Sequence, residues 1–399
     1  MAAMEKKDKT LNVPNLRFPE FSGEWEKYSL GEVGSTIIGL TYSPSDVVKD
    51  GGTIVLRSSN IQDGEIDYKD LIFVNKKIKD TLYTRPNDLL VCARNGSARL
   101  IGKNALIAET DSGHTFGAFM MIYRSEDNQF IHQLLSTKRY YTQVGENLGA
   151  RINQITTSDM NSFEFYFPKS KSEKDKIAHL LGLINLRIST QKKIIEDLKK
   201  LKDAITHFHF RNELTHSPMT YIGQYITQVS RRNKDTKIDR VLSVSNKYGF
   251  VDQDEQFEDR VVASIDTSNY KVVQKGDFAY NPARINVGSV AILQEFENGI
   301  VSPMYVCFTT NKGLLPAYFE LYLSTNIFKH EMYKRLEGSV RLCLTYESLC
   351  NIKIALPEFS VQTDLASKVS ALLTKIKNEE RLLCLYHNFK QYLLTQMFI

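Results

Sequence analysis

Cysteine is scarce in this chain of 399 residues. Its five cysteines, Cys92, Cys307, Cys343, Cys350 and Cys384, are odd in number and include no C-x-x-C pair. That speaks against a disulfide framework or a zinc knuckle and for reduced thiols in a cytosol. Long apolar runs are missing too: none approaches the roughly 18 residues that cross a bilayer, and the Lys-rich start, Met1 to Thr10, has no secretion core. The expectation is a soluble, cytoplasmic protein. Signatures of catalysis are equally thin. Gly102-Lys103-Asn104 lacks the spacing and the Ser/Thr of a phosphate-binding loop. No glycine-rich cofactor loop follows an early strand, and no Pro-Asp dipeptide opens a nuclease motif. Tyr280-Asn281-Pro282-Ala283 only partly matches the Asn-Pro-Pro-aromatic loop of adenine methyltransferases, since the second proline and the aromatic are absent. His207 and His209, two apart near a helix end, point to different faces and make a poor metal pair. The chain is expected to be no enzyme and to hold no metal or cofactor.

What is present is the balance of an ordinary globular protein: 42% apolar and 24% charged residues, with 20 Tyr and 21 Phe. The length suits two or three domains. The net charge of +5 permits a nucleic-acid partner without requiring one.

The chain repeats itself at half-length. Phe167-Pro168 and Leu356-Pro357 each precede a long charged segment, with the prolines 189 residues apart. Asn87-Asp88-Leu89-Leu90 aligns with Gly276-Asp277-Phe278-Ala279 at 189, and Gly102 to Ile107 with Gly288 to Leu293 at 186. Gly149 and Gly338, again 189 apart, each lead to an Arg and a Thr (Arg151, Thr156; Arg341, Thr345), and Leu30-Gly31-Glu32 resembles Ile222-Gly223-Gln224. Within each copy, short β-branched and aromatic runs alternate with Gly, Asn and Asp turns. Gly52 to Leu56, Asp88 to Cys92, Phe119 to Tyr123 and Phe163 to Phe167 read as strands of a mixed α/β globule. One helix is expected near Gln129 to Val144, echoed by Ala317 to Leu336.

After each proline the period changes from two to seven. Ile177, Leu181, Ile184, Ile188, Ile195, Leu198 and Ile205 follow a 4-3 spacing with polar breaks at Gln191 and Lys202. Leu365, Val369, Leu372, Ile376, Leu383, Tyr386 and Leu393 repeat it 188 residues on, with breaks at Glu379 and Lys390. Such stripes suit an antiparallel coiled coil, or a helix packed on its own domain. If the helices pair, two pseudo-symmetric globules sit at opposite ends of a rod. A helix of about 30 residues spans roughly 45 Å, a little over one turn of B-DNA. The expected divisions are an extension over 1–24, globules over 25–168 and 213–357, and helices over 169–212 and 358–399.

Candidate readers of a nucleic acid are the polar loops between strands. In the first copy they are Arg57, Ser59 and Asn60, then Arg94, Asn95, Ser97 and Arg99. In the second they are Ser245, Asn246, Lys247 and Tyr248, then Asn281, Arg284 and Asn286. Arg151 and Arg341 either hold phosphate or brace a turn, and Arg231-Arg232-Asn233-Lys234 is a basic loop open to the same two readings. From Lys169 to Asp203, ten Lys or Arg face five acids, which suits phosphate contact or a merely solvated face.

The duplicated halves, Trp25 to Glu32 (W-x-x-x-x-L-G-E), Val241-Leu242-Ser243-Val244-Ser245-Asn246 and the proline followed by a heptad helix together resemble the specificity subunits of type I restriction-modification systems over almost the whole length. The resemblance implies two target-recognition domains reading a split, asymmetric site in double-stranded DNA, with the helices as a ruler. It also implies docking to two methyltransferase subunits and two restriction subunits, with S-adenosylmethionine, ATP and Mg on those partners only. The second copy departs from the pattern: it lacks the tryptophan, and Met219-Thr220-Tyr221-Ile222-Gly223 stands where the Trp-led motif is expected. A non-catalytic adaptor, or a silent recombining allele that binds only protein, has the same sequence features.

Overall fold

The computed structural model describes residues 11–148, 153–253, 266–338 and 342–399. Two units divide the chain: one runs up to Lys192 and adds Leu382–Ile399, and the other is Lys193–Arg381.

In the first unit the strands Ser35–Ile38, Met120–Arg124, Leu89–Cys92 and Asn104–Leu106 lie side by side in that order, every pair antiparallel. All four residues of Leu89–Cys92 are buried, because the strand has a core on each face. Leu89 and Val91 pack with Trp25, Phe130 and Tyr140, while Leu90 and Cys92 pack with Leu56, Phe116 and Ile122. A strand covered on both sides reads as a continuous apolar run rather than an alternating one. A second sheet pairs Thr53–Leu56 with Ile72–Val74 and, in parallel, with Thr115–Phe116. Glu26–Ser29 closes against Glu164–Phe167.

The second unit builds the same sheet from Ile226–Val229, Val306–Thr310, Phe278–Tyr280 and Val290–Ile292, in the same order and again antiparallel. Met219–Tyr221 closes against Lys353–Ala355 as Glu26–Ser29 does against its partner. Phe278 and Tyr280 face one core and Ala279 the other. The four strands read from the first copy are present at Thr53–Leu56, Leu89–Cys92, Met120–Arg124 and Glu164–Phe167.

The single helix expected in each copy is two. Asn128–Leu134 gives way to Lys138–Leu148, and Pro316–Ser324 to Asn326–Tyr333. A Ser-Thr pair breaks both, Ser136-Thr137 and Ser324-Thr325. The Thr137 hydroxyl donates to Leu134 O at 2.7 Å and accepts from Tyr140 N at 3.4 Å; Thr325 donates to Tyr322 O at 2.7 Å and accepts from Phe328 N at 3.1 Å. Each threonine ends one helix and caps the next, which apolar periodicity alone does not reveal.

The long helices are Lys171–His216 and Phe359–Gln396, of 46 and 38 residues rather than about 30. Ser170 caps the first through Glu173 N at 3.3 Å, and Pro218 stands just beyond its end. Within the first unit Ile177, Leu181, Ile184 and Ile188 share one core with Leu393, Leu394, Met397 and Phe398, while Leu383 and Tyr386 lie against it. Arg187 Nε donates to the Tyr386 hydroxyl at 2.9 Å, so one segment ascends as the other descends. Within the second unit Phe210 shares a core with Leu365 and Val369, Ile205 packs on it, and Lys199 meets Glu380 at 2.6 Å. That pairing is antiparallel as well. Ile195 and Ile376 are buried, Leu198 and Leu372 half-buried, and the breaks Gln191 and Glu379 are buried with the stripe. Helix pairing and packing on the globule therefore occur together rather than as alternatives.

A buried polar side chain near the start of each long helix is partnered differently in the two copies. Glu173 accepts from Trp25 Nε1 at 3.2 Å and from Arg17 Nε at 2.7 Å. Its counterpart 189 residues on, Gln362, instead accepts from Leu315 N at 2.9 Å and donates to Gly313 O at 2.8 Å. Where the second copy has no indole, the amide serves a loop.

Candidate nucleic-acid interface

Each central strand runs into a polar loop that returns through the neighbouring strand. In the first unit the loop leaves Cys92 and returns at Asn104; in the second it leaves Tyr280 and returns at Val290. Eleven residues lie between Cys92 and Asn104 and nine between Tyr280 and Val290, so the second loop is two residues shorter. Both are held by an asparagine whose side-chain oxygen accepts a backbone N–H two residues on: Asn95 from Ser97 N and Asn281 from Ala283 N, each at 3.0 Å. Both close through a glycine of positive φ, Gly102 at 81° and Gly288 at 93°.

The structure joins the two candidate stretches of each copy. Asn95 Nδ2 donates to Ser58 Oγ at 2.9 Å, which ties the 57–60 turn to the 94–99 loop. In the second unit Ser289 Oγ donates to Val244 O at 2.9 Å, and Gly288 faces Asn246. Arg94, Arg99 and Arg284 are exposed and have no carboxylate partner among the described residues. The Arg94 guanidinium lies 5.4 Å over the Phe119 ring. Ser59, Asn246, Lys247 and Tyr248 are exposed as well; Lys247 Nζ sits 4.8 Å over Tyr248, at the turn of the hairpin Leu242–Ser245 and Gly249–Asp252. Ser97 and Asn286 are half-buried.

Other candidates are committed elsewhere. Asn60 is fully buried, its oxygen accepting from Arg57 N at 2.9 Å and its nitrogen donating to Asp67 O and Asp70 O at 3.0 and 2.9 Å. It is not available to a base edge. The similar lettering of residues 55–60 and 241–246 misleads because the first stretch turns into a 3-10 helix, Ser58–Asn60, while the second continues as a hairpin strand. Arg57 pairs with Asp70 at 2.7 Å, and its buried Nε has no partner. Ser245 Oγ accepts from Lys247 N at 3.2 Å and shapes the turn. The basic loop at 231–234 is mostly structural: Arg231 pairs with the buried Asp277, Arg232 donates to Asn269 O at 2.6 Å and Asn233 is buried, which leaves Lys234 exposed. Arg151 and Arg341 lie outside the described residues. His209 approaches the Tyr318 hydroxyl at 3.3 Å, half-buried, while His207 is exposed.

Burial pushes the Cys92 thiol up to about 11 and Cys307 up to about 12, so both stay protonated and unreactive at neutral pH. Among the described residues no group of three or more His, Cys, Asp or Glu is placed to hold a metal ion, and no helix is long and apolar enough to cross a membrane. What the loops present is guanidinium, ammonium, amide and hydroxyl groups, the set that meets phosphates and base edges.

Residues 22–216 match the family described as the Type I restriction modification DNA specificity domain. The chain is 23% identical over 413 residues to the specificity subunit of the type I restriction enzyme EcoKI from Escherichia coli (strain K12), covering 94% of this chain and 88% of that protein. It is 25% identical over 192 residues to the StySPI specificity subunit of Salmonella potsdam, covering 45% of this chain and 41% of that one. The fold is that of the crystal structure of the S subunit of a type I restriction-modification system from M. genitalium: TM-score 0.59, 17% identity, 97% of this chain and 99% of that one.

Proposed function

We propose, from the match of residues 22–216 to the type I restriction modification DNA specificity domain, that the protein is the DNA-reading specificity subunit of a type I restriction-modification complex. Each globule reads one half of a bipartite, asymmetric site in double-stranded DNA. The observation that carries this reading is the same four-stranded sheet built twice, each copy bearing a polar loop between equivalent strands that differs in length and sequence from its counterpart. A shared frame with unlike loops is what two readers of unlike half-sites require.

Arg94, Arg99, Ser97 and Ser59 contact DNA in the first domain, and Asn246, Lys247, Tyr248, Arg284 and Asn286 in the second. Asn95, Asn281 and Ser245 hold the loops in shape. The long helices set the spacer and dock two methyltransferase subunits, to which two restriction subunits add. Catalysis, S-adenosylmethionine, ATP and Mg belong to those partners, and the complex works in the cytoplasm. The test is binding of duplex DNA by the full chain with and without methyltransferase subunits. Tight, sequence-selective binding that needs both supports the reading; selective capture of protein partners with no DNA preference supports an adaptor.

A further inference from the structure

The strand beside the one that leads into each reading loop is preceded by a β-turn closed by the same fourth-to-first backbone hydrogen bond. In the first unit Met120 N donates to Gly117 O at 2.8 Å; in the second Tyr305 N donates to Ser302 O at 3.1 Å. The fourth residue of each turn is buried, Met120 at 1% and Tyr305 at 8% exposure. The residue before it, third in the turn, is large, apolar and out in solvent: Phe119 is 58% exposed and Met304 61%. A single exposed apolar side chain is ordinary. Two at the same turn position of a duplicated domain, each touching the polar loop, are not explained by packing.

The contacts place them in the reading surface. Ala93 N and Arg94 N both donate to Phe119 O, at 2.9 and 3.0 Å, and the Arg94 guanidinium covers the ring. Asn281 Nδ2 approaches Met304 Sδ at 3.7 Å.

We propose that Phe119 and Met304 are specificity-determining residues that each read a thymine by its C5-methyl group in the major groove, one per half-site. The proposal rests on the DNA-reading assignment above. Arg94 and Phe119 are in contact, so they enter one groove together. The guanine acceptor pair that suits an arginine and the thymine methyl that suits an apolar side chain both lie in the major groove.

The experiment uses the full chain assembled with its methyltransferase subunits and duplexes carrying the site found by methylation mapping, with each thymine replaced in turn by uracil, which lacks only the methyl. Wild type should lose about fourfold in affinity at one position in each half-site, the size of one buried methyl. Phe119→Ala should abolish that loss in one half and Met304→Ala in the other, while Phe119→Leu should retain part of it and confirm folding. The proposal is overturned if uracil has no effect, if a half-site contains no thymine, or if the loss persists in the alanine variants. Equal weakening of every duplex by Phe119→Ala, the mark of a wedge between base steps, also overturns it. A wild-type complex that prefers no sequence at all overturns the DNA-reading assignment itself.

Discussion

The carboxamide of Asn95 donates to the hydroxyl of Ser58 at 2.9 Å and fastens the 94–99 loop to the turn that begins at Arg57. Arg94 and Arg99 therefore extend from a loop braced at its base, and neither is neutralised by a carboxylate among the described residues. Replacing both by alanine is expected to weaken binding through the first half-site by roughly 10- to 100-fold and to leave the second unchanged. Binding to duplexes altered in one half at a time measures this. Equal loss in both halves by a folded variant would count against separate readers.

Asn60 tests the opposite assignment. The side chain is fully buried and makes three hydrogen bonds to backbone groups, so Asn60→Ala leaves those groups unpaired and should cost about 1–3 kcal/mol of stability. Thermal unfolding should show the loss, while base preference stays as in wild type. A shifted preference at full stability would make Asn60 a reader after all.

Much of this architecture was legible beforehand, for identifiable reasons. Strands and heptads announce themselves by period, and duplication let each copy check the other. What the sequence does not reveal depends on local chemistry with no period. The break at Thr137 is a single hydroxyl capping a helix. Arg57 and Arg231 look free in sequence, but their partners Asp70 and Asp277 lie 13 and 46 residues away. Phe119 reads as the first residue of a buried strand, because whether an apolar residue next to an apolar run is core or turn depends on where the turn falls.

Acid should loosen the first unit. Burial and the nearby Lys390 ammonium hold His132 down to about 4, below the roughly 6.5 of an unfolded chain. A histidine kept neutral by the fold contributes its full stability above the unfolded value, and loses it as pH falls from there toward the folded one. Between pH 7 and pH 5 the loss should be on the order of 1–2 kcal/mol, and burial pushes His387 of the same unit the same way. Unfolding midpoints measured across that range, with His132→Gln flattening the slope, check it. An unaltered slope in the variant would remove His132 as the cause.

The long helices offer a test of spacing. Ile177 to Ile188 lie in the core of the first unit, so an insertion belongs beyond them. Seven residues added between Ile188 and Ile195, matched by seven between Ile376 and Leu383, preserve both apolar stripes and add about 10 Å to each helix. The preferred spacer should lengthen by about 3 base pairs with both half-sites intact. An unchanged spacer in an assembled, active complex would contradict the ruler.

The most direct test of the central claim is genome-wide adenine methylation in cells carrying this subunit with its methyltransferase, compared with cells lacking this subunit alone. A split, asymmetric methylated motif that disappears with the deletion is the predicted result. An unchanged methylome, with active methyltransferase present, would contradict it.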